Sequence, residues 1–346
     1  MSASPPTRIT RFGAGAIGDL GEVVAEAGIS RPVLVTTTRG ATQARSVDRV
    51  ATFDGVGPHA PIETVQAAGA LAREHDADGL IGLGGGSAID TCKAVVAELA
   101  WQGFDPLPRI VAVPTTYAGA EWTPYFGTLL AEGRKGGGMD VRATPVAAVY
   151  DPELTLGLSV GATVGTSMNA LAHCAEAYYH PERKPRAERH ADTGATAIGH
   201  ALPLVAANPG GIYGRTRMLE GAMRAALALA ESGLCLAHAM AQALGGRYGQ
   251  PQGTMNALCL PVALRFNAEV VPDAIGRFGE ALGTDDAPTR VEELAALGGF
   301  GRLRDYGVPA SELDEAARTI VERPGAKANP RPATADEVAE LLRSIW

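Results

Sequence analysis

Gly79-Leu80-Ile81-Gly82-Leu83-Gly84-Gly85-Gly86-Ser87-Ala88-Ile89-Asp90-Thr91-Cys92-Lys93 is the stretch whose reading decides the fold. An apolar run of strand length enters three glycines and leaves as a helix. Glycine lets the backbone turn sharply and lets a ligand approach with no Cβ in the way. The start of the helix aims unpaired N–H groups and the positive end of its dipole at the same spot, which suits a phosphate. Ser87 reads as the N-cap, or as a hydroxyl donor to that phosphate. The spacing is neither Gly-x-Gly-x-x-Gly nor a Walker sequence. The same residues could also form a tight strand–helix turn with no ligand.

The flanking sequence repeats this alternation. Residues 8–13 read as an edge strand, 20–27 as a helix ending at Gly28, and 32–37 as an apolar, β-branched strand of parallel type. Residues 62–75 carry Val65, Ala68, Leu71 and Ala72 at helical spacing, and 109–114 and 147–152 are further strands. Strands separated by helices predict a parallel sheet covered on both faces, with ligands beyond the carboxyl ends of the strands. The glycine turn and Pro114-Thr115-Thr116 both fall at such ends. Beyond residue 152 the pattern is helical almost throughout, at 164–179, 187–207, 215–243, 255–266 and 335–345, with no convincing strand. Gly136-Gly137-Gly138 reads as a flexible loop and 182–189 as a charged helix connection. The expected organisation is an α/β dinucleotide-binding domain over 1–152 and an all-helical substrate domain over 153–346.

Composition narrows the function. The chain has 346 residues, 46% hydrophobic and 20% charged, enough for a large core. A net charge of −8 with acidic and basic residues interspersed argues against nucleic acid or an anionic membrane as partner. Cys92, Cys174, Cys235 and Cys259 show no CxxC spacing and read as buried thiols. There is no apolar run of about 18 residues, and residues 1–8 lack the apolar core of a leader, so a soluble cytoplasmic protein is expected.

In the helical half, Asn169 and His173 are four apart, as are His238 and Gln242, and Gln252 opens the next helix after a glycine-rich turn. Residues four apart share a helix face. Two such faces in Ala-rich surroundings predict a polar pocket that can hydrogen-bond a substrate. Two histidines and neutral amides are a poor donor set for iron or zinc.

Together these pieces resemble the iron-containing alcohol dehydrogenase superfamily, which shares its architecture with dehydroquinate synthase. Gly84-Gly85-Gly86-Ser87 with Asp90 and Lys93 is similar to its pyrophosphate turn. Pro114-Thr115-Thr116-Tyr117-Ala118-Gly119-Ala120-Glu121-Trp122-Thr123-Pro124 is similar to its second cofactor loop. That loop, Tyr150-Asp151-Pro152-Glu153-Leu154-Thr155-Leu156, Met168-Asn169-Ala170-Leu171-Ala172-His173 and Asn329-Pro330-Arg331-Pro332 are most like the maleylacetate reductase branch. Metal-binding relatives use an Asp and three His, which fall here on Asn169, His173, His238 and Gln252. Asn in place of Asp is typical of maleylacetate reductases, which work without a metal. Relatives usually have His at the positions of Gln242 and Gln252, and the one matching Gln242 lies near the nicotinamide.

The resemblance implies an NAD(P)H-dependent reductase of aromatic-compound degradation that converts maleylacetate to 3-oxoadipate, built as a homodimer. The cofactor would lie in the cleft between the domains. Thr37, Arg39, Gly84, Gly85, Gly86, Ser87, Asp90, Thr115, Thr116, Tyr117 and Lys135 are the residues expected to hold NADH or NADPH. Thr37 and Arg39 stand where NAD-specific relatives often carry an acid, so a 2′-phosphate is permitted. His173, His238, Gln242, Asn169 and Gln252 are the catalytic candidates, with one histidine stabilising or protonating an enolate. Arg247, Lys135, Asn169, Gln242 and Gln252 are candidate partners for the carboxylates of a small acidic substrate. Three alternatives stay open: a reductase of another enone or carbonyl compound, a non-redox protein on this fold, and a metal-dependent alcohol dehydrogenase.

Overall fold

A computed structural model describes residues 8–44, 47–130 and 135–346, without the side chain of Lys135. The chain divides into two compact units: Met1–Thr115, Ala120–Glu132 and Gly136–Thr155 in one, and Thr116–Gly119, Gly133–Lys135 and Leu156–Trp346 in the other.

The first unit holds strands β1 (Ile9–Phe12), β2 (Pro32–Thr36), β3 (Ala51–Phe53), β4 (Gly79–Gly84), β5 (Arg109–Pro114), β6 (Tyr125–Leu129), β7 (Lys135–Met139) and β8 (Ala147–Tyr150). Its helices are α1 (Leu20–Glu26), α2 (Thr38–Ala41), α3 (Ile62–Glu74) and α4 (Gly86–Trp101). Six strands form one parallel sheet in the order β1-β8-β5-β4-β2-β3. Every residue of β2, β4 and β8 is buried, the mark of strands covered on both faces. Alternation divides their side chains between two cores. Leu34, Ile81, Leu83 and Val111 meet Leu20 and Val23 of α1. Val33, Val35, Leu80 and Ile110 meet α3 and α4 through Val65, Ala68, Val95 and Leu99.

Two local expectations are corrected here. Gly136–Gly138 belong to β7, paired with β6, and do not form a loop. A Cβ at Gly137 would stand 2.6 Å from the Phe126 carbonyl oxygen, and one at Gly138 2.6 Å from the Phe126 ring. The glycines therefore mark close strand packing, where sequence suggested slack. Ser87 is not the N-cap of α4 either: that residue is Gly85, and Ser87 lies inside the helix with its Oγ accepting from the His59 N–H at 3.0 Å.

The second unit is helical: α5 (Val160–Tyr179), α6 (Pro185–Ala207), α7 (Ile212–Ala230), α8 (Leu236–Arg247), α9 (Gln252–Ala268), α10 (Pro272–Leu282), α11 (Ala287–Ala296), α12 (Leu313–Val321), α13 (Pro324–Lys327) and α14 (Ala335–Ser344). No strand occurs among its described residues beyond 135. The single helix expected over 215–243 is broken at 231–235. Ser232 Oγ turns back to the Ala228 carbonyl, and the Leu236 N–H that restarts the chain donates to Asn329 Oδ1 at 3.3 Å. The distant Asn329 supplies the partner that local periodicity could not reveal.

Two features set the framework of this unit. Arg215 is wholly buried and donates to Tyr117 Oη (3.2 Å), Thr163 Oγ1 (3.3 Å), Pro209 O (2.9 Å) and Leu158 O (3.3 Å), binding four stretches of chain together. The backbones of α5 and α9 also touch: a Cβ at Gly253 would lie 2.1 Å from Gly165 O. The four cysteines are free and buried, and burial pushes each thiol up. Among the described residues no helix is long and apolar enough to cross a membrane.

Candidate active site

In the first unit the carboxyl ends of β2, β4 and β5 lie in register. Thr36 pairs with Leu83, and Gly84 with Pro114. This edge brings Thr37, Arg39, Gly84, Gly85, Gly86 and Thr115 to one side of the sheet. Gly84 has φ +154°, and a Cβ there would meet that of Ala88 at 2.9 Å. Among the described residues Gly85, the N-cap of α4, makes no side-chain cap hydrogen bond, which leaves the first amides of the helix open to an anion. The Thr115 N–H donates to Gly84 O at 2.9 Å and holds the two turns together. Thr37 caps α2 by accepting from the Gly40 N–H at 3.2 Å, and Arg39 is exposed on that helix. These features fit the pyrophosphate and ribose of a dinucleotide.

Asp90 and Lys93 take a different part from phosphate binding. Asp90 Oδ2 accepts from the Gly127 N–H at 3.1 Å, and Oδ1 lies 3.7 Å from Lys93 Nζ. Burial pushes the Asp90 carboxyl up and the Lys93 ammonium down. Lys93 Nζ donates to Ala120 O (2.5 Å) and Tyr125 O (2.7 Å). The pair thus fastens the 120–127 segment to α4. Tyr117, expected at the cofactor, has its side chain buried in the second unit with its hydroxyl against Arg215. Thr116 belongs to the same segment of that unit. Lys135 is expected at the cofactor, but its side chain lies outside the described residues.

In the second unit Asn169, His173 and Glu176 form one stripe of α5, and α8 sets His238 against it. The His173 and His238 rings stack with centroids 4.7 Å apart and planes 6° from parallel. Glu176 is wholly buried. Its Oε2 lies 2.7 Å from His238 Nδ1, and its Oε1 accepts from the His238 N–H at 3.1 Å. The carboxylate thereby engages Nδ1 as its donor, and Nε2 is buried with no hydrogen-bond partner among the described residues. Asn256 Nδ2 donates to Asn169 Oδ1 at 2.9 Å, and Asn169 Nδ2 donates to Ala118 O at 2.9 Å. The same Asn169 amide nitrogen lies 3.5 Å from His173 Nε2. That order of donors assigns the His173 proton to Nδ1, which is buried and has no hydrogen-bond partner among the described residues.

Burial, and then His238, push His173 well below the usual histidine range, so it stays neutral at physiological pH. A neutral buried histidine binds its proton more readily once unfolded. This contribution to stability is therefore present above about pH 6.5, the ordinary value, and is lost as pH falls below it. Urea midpoints between pH 8 and pH 5 should show this loss reduced in His173→Gln.

Gln242 accepts at Oε1 from Arg323 Nη1 at 3.3 Å. Gln252 is half-buried at the start of α9. Arg247 is not a free cation for a substrate: it is paired with Glu312 (2.8 Å) and Glu315 (3.0 Å). Sequence reading missed Glu176, Asn256 and Arg323. Glu176 had a visible signal, an acid three residues after His173 in an otherwise apolar helix. Asn256 and Arg323 acquire their partners only through tertiary packing.

Residues 6–152 match the family described as iron-containing alcohol dehydrogenase, and residues 163–346 match its C-terminal region. Maleylacetate reductase of Sphingobium indicum is 35% identical over 338 residues, covering 96% of this chain and 93% of that protein. The crystal structure of maleylacetate reductase from Agrobacterium tumefaciens is similar with a TM-score of 0.89 at 30% identity, covering 99% of this chain and 97% of that one. The structure of a 1,3-propanediol oxidoreductase gives a TM-score of 0.91 at 28% identity, covering 98% of each chain. The chain belongs to the iron-containing alcohol dehydrogenase family. Within that family it falls on the maleylacetate reductase branch, and it is an NAD(P)-dependent oxidoreductase.

The donor set does not fit the iron of the family name. Both ends of the Asn169 amide are engaged by Ala118 and Asn256. The stacked imidazoles hold their lone pairs in nearly parallel planes, so they cannot converge on one ion about 2.0–2.1 Å from each. Gln252 adds only an amide. Among the described residues no three His, Cys, Asp or Glu side chains form a group able to hold a metal.

Proposed function

We propose that this protein reduces the carbon–carbon double bond of maleylacetate to give 3-oxoadipate, with NADH or NADPH and without a metal ion. The observation that carries the reading is the buried Glu176–His238–His173 stack. It offers a held proton donor and a neutral hydrogen-bond donor side by side. A reduced nicotinamide, when bound, supplies a hydride. The alkene carbon two bonds from the ketone carbon takes that hydride, and the electron pair of the double bond shifts to make an enolate. His173 Nδ1–H donates to the developing enolate oxygen. His238, as the imidazolium paired with the Glu176 carboxylate, delivers its Nε2 proton to the carbon next to the ketone and is left neutral with its remaining proton on Nδ1, where Glu176 keeps the ring aligned. The names of the relatives support the substrate. The reading carries with it a homodimer acting on a small acidic molecule in the cytoplasm, within aromatic-compound degradation.

The test is direct. Purified protein, freed of metal by chelation, should oxidise NADH or NADPH in the presence of maleylacetate and yield 3-oxoadipate. Activity that returns only on adding iron or zinc, or no oxidation with maleylacetate while another enone is reduced, overturns the reading.

A further inference from the structure

Arg323 is a guanidinium of the second unit that reaches the helix carrying His238. It lies half-buried just before α13, and its Nη1 donates to Gln242 Oε1 at 3.3 Å. Gln242 follows His238 by one turn of α8, so the two side chains share a face at a separation of about 5–6 Å between Cβ atoms. The Nε of Arg323 is buried and has no hydrogen-bond partner among the described residues. Burial alone pushes this guanidinium down, with no carboxylate acting on it. Its neighbour Glu322 is paired with Lys327 at 2.8 Å. Arg247, on the same helix as Gln242, shows the contrast, since two glutamates occupy it.

With Nη1 turned to Gln242, the remaining Nε–Nη2 edge is a two-donor fork of the shape that a carboxylate fills. We propose that Arg323, oriented by Gln242, is the carboxylate-binding residue that sets specificity for an oxo-dicarboxylate. The inference rests on the proposed reduction of maleylacetate and deepens it. Gln242, which the fork adjoins, lies one helical turn from His238, a spacing that suits a small dicarboxylate with a carboxylate a few bonds from the reacting carbons. The arrangement also explains how a chain of net charge −8 can retain a dianion: the cation is local, half-buried and without a carboxylate partner among the described residues.

The experiment compares wild type, Arg323→Gln and Arg323→Lys with maleylacetate, with the uncharged enone 2-cyclohexenone, and with adipate as a dicarboxylate inhibitor. Losing a charge-assisted pair should raise KM for maleylacetate and Ki for adipate by roughly tenfold to a hundredfold in R323Q. KM for 2-cyclohexenone, which carries no carboxylate, should change far less than KM for maleylacetate, and R323K should recover part of the loss. Unaltered KM and Ki in R323Q overturn the inference even if wild type reduces maleylacetate. If wild type does not reduce maleylacetate but binds adipate calorimetrically, and R323Q does not, the anion site stands and the substrate assignment falls. Matching urea midpoints for R323K and wild type, with the same loss of affinity in both variants, would also overturn it, because a retained cation should bind.

Discussion

Glu176→Gln should lower kcat by on the order of a hundredfold or more. It should do so with little change in the affinity for NADH or NADPH measured by nicotinamide fluorescence. Glu176 is a positioning residue: it touches His238 at Nδ1 and at the backbone N–H, and acts on the substrate only through that ring. Glutamine keeps the volume but can present an amide donor where the carboxylate accepts. The ring then loses the partner that keeps Nδ1 protonated, and Nε2 is no longer held as the proton-donating atom. The pH dependence of kcat is the decisive measurement. A shifted or flattened profile in E176Q, with partial recovery in Glu176→Asp, is the expected result. A wild-type rate and profile in E176Q would show that the buried pair serves the fold alone.

The second large effect should come from a methyl group. In Gly253→Ala the new Cβ would lie 2.1 Å from Gly165 O, backbone against backbone, with no flexible side chain to yield. Helix α9 must move away from α5. We expect a loss of about 1–3 kcal/mol or more, read as a lower urea midpoint. Catalysis should fall as well, because Asn256 on α9 holds Asn169 on α5, and Asn169 sets the His173 tautomer. Gly276→Ala is the control. It lies in α10 with nothing within 4 Å of the added Cβ, and should leave stability the same or slightly raised. If both variants unfold at the same urea concentration, the close approach of α5 and α9 is not a constraint.

The parallel sheet was legible because β2, β4, β5 and β8 are short apolar runs separated by helical patterns, and β4, β5 and β8 end close to glycine or proline. Burial on both faces leaves that imprint on sequence. Strand β3 escaped because it is three residues long and only half-buried. Strand β7 escaped because its glycines answer to Phe126 across the hairpin, which no local pattern shows. In the site, i and i+4 spacing brought out Asn169 with His173 and His238 with Gln242. Spacing on one helix cannot say that the two histidines stack. Nor could it show that Arg247 is claimed by α12 and its preceding turn while Arg323 reaches Gln242. Tyr117 sits in a loop similar to a cofactor loop. Only the buried Arg215 reveals that its ring faces the helical core.

The strand order also has a consequence in time. Strand β1 is made first, yet among the described residues it pairs in the sheet with β8 alone, Ile9 opposite Ala147. While the chain is being synthesised, β2, β4 and β5 can pair as they emerge, but Ile9–Phe12 must wait until the last strand of the sheet has left the ribosome. Closing so long a loop is slow. The edge of the sheet is thus completed late, and the nascent first unit carries an unpaired strand for most of its synthesis.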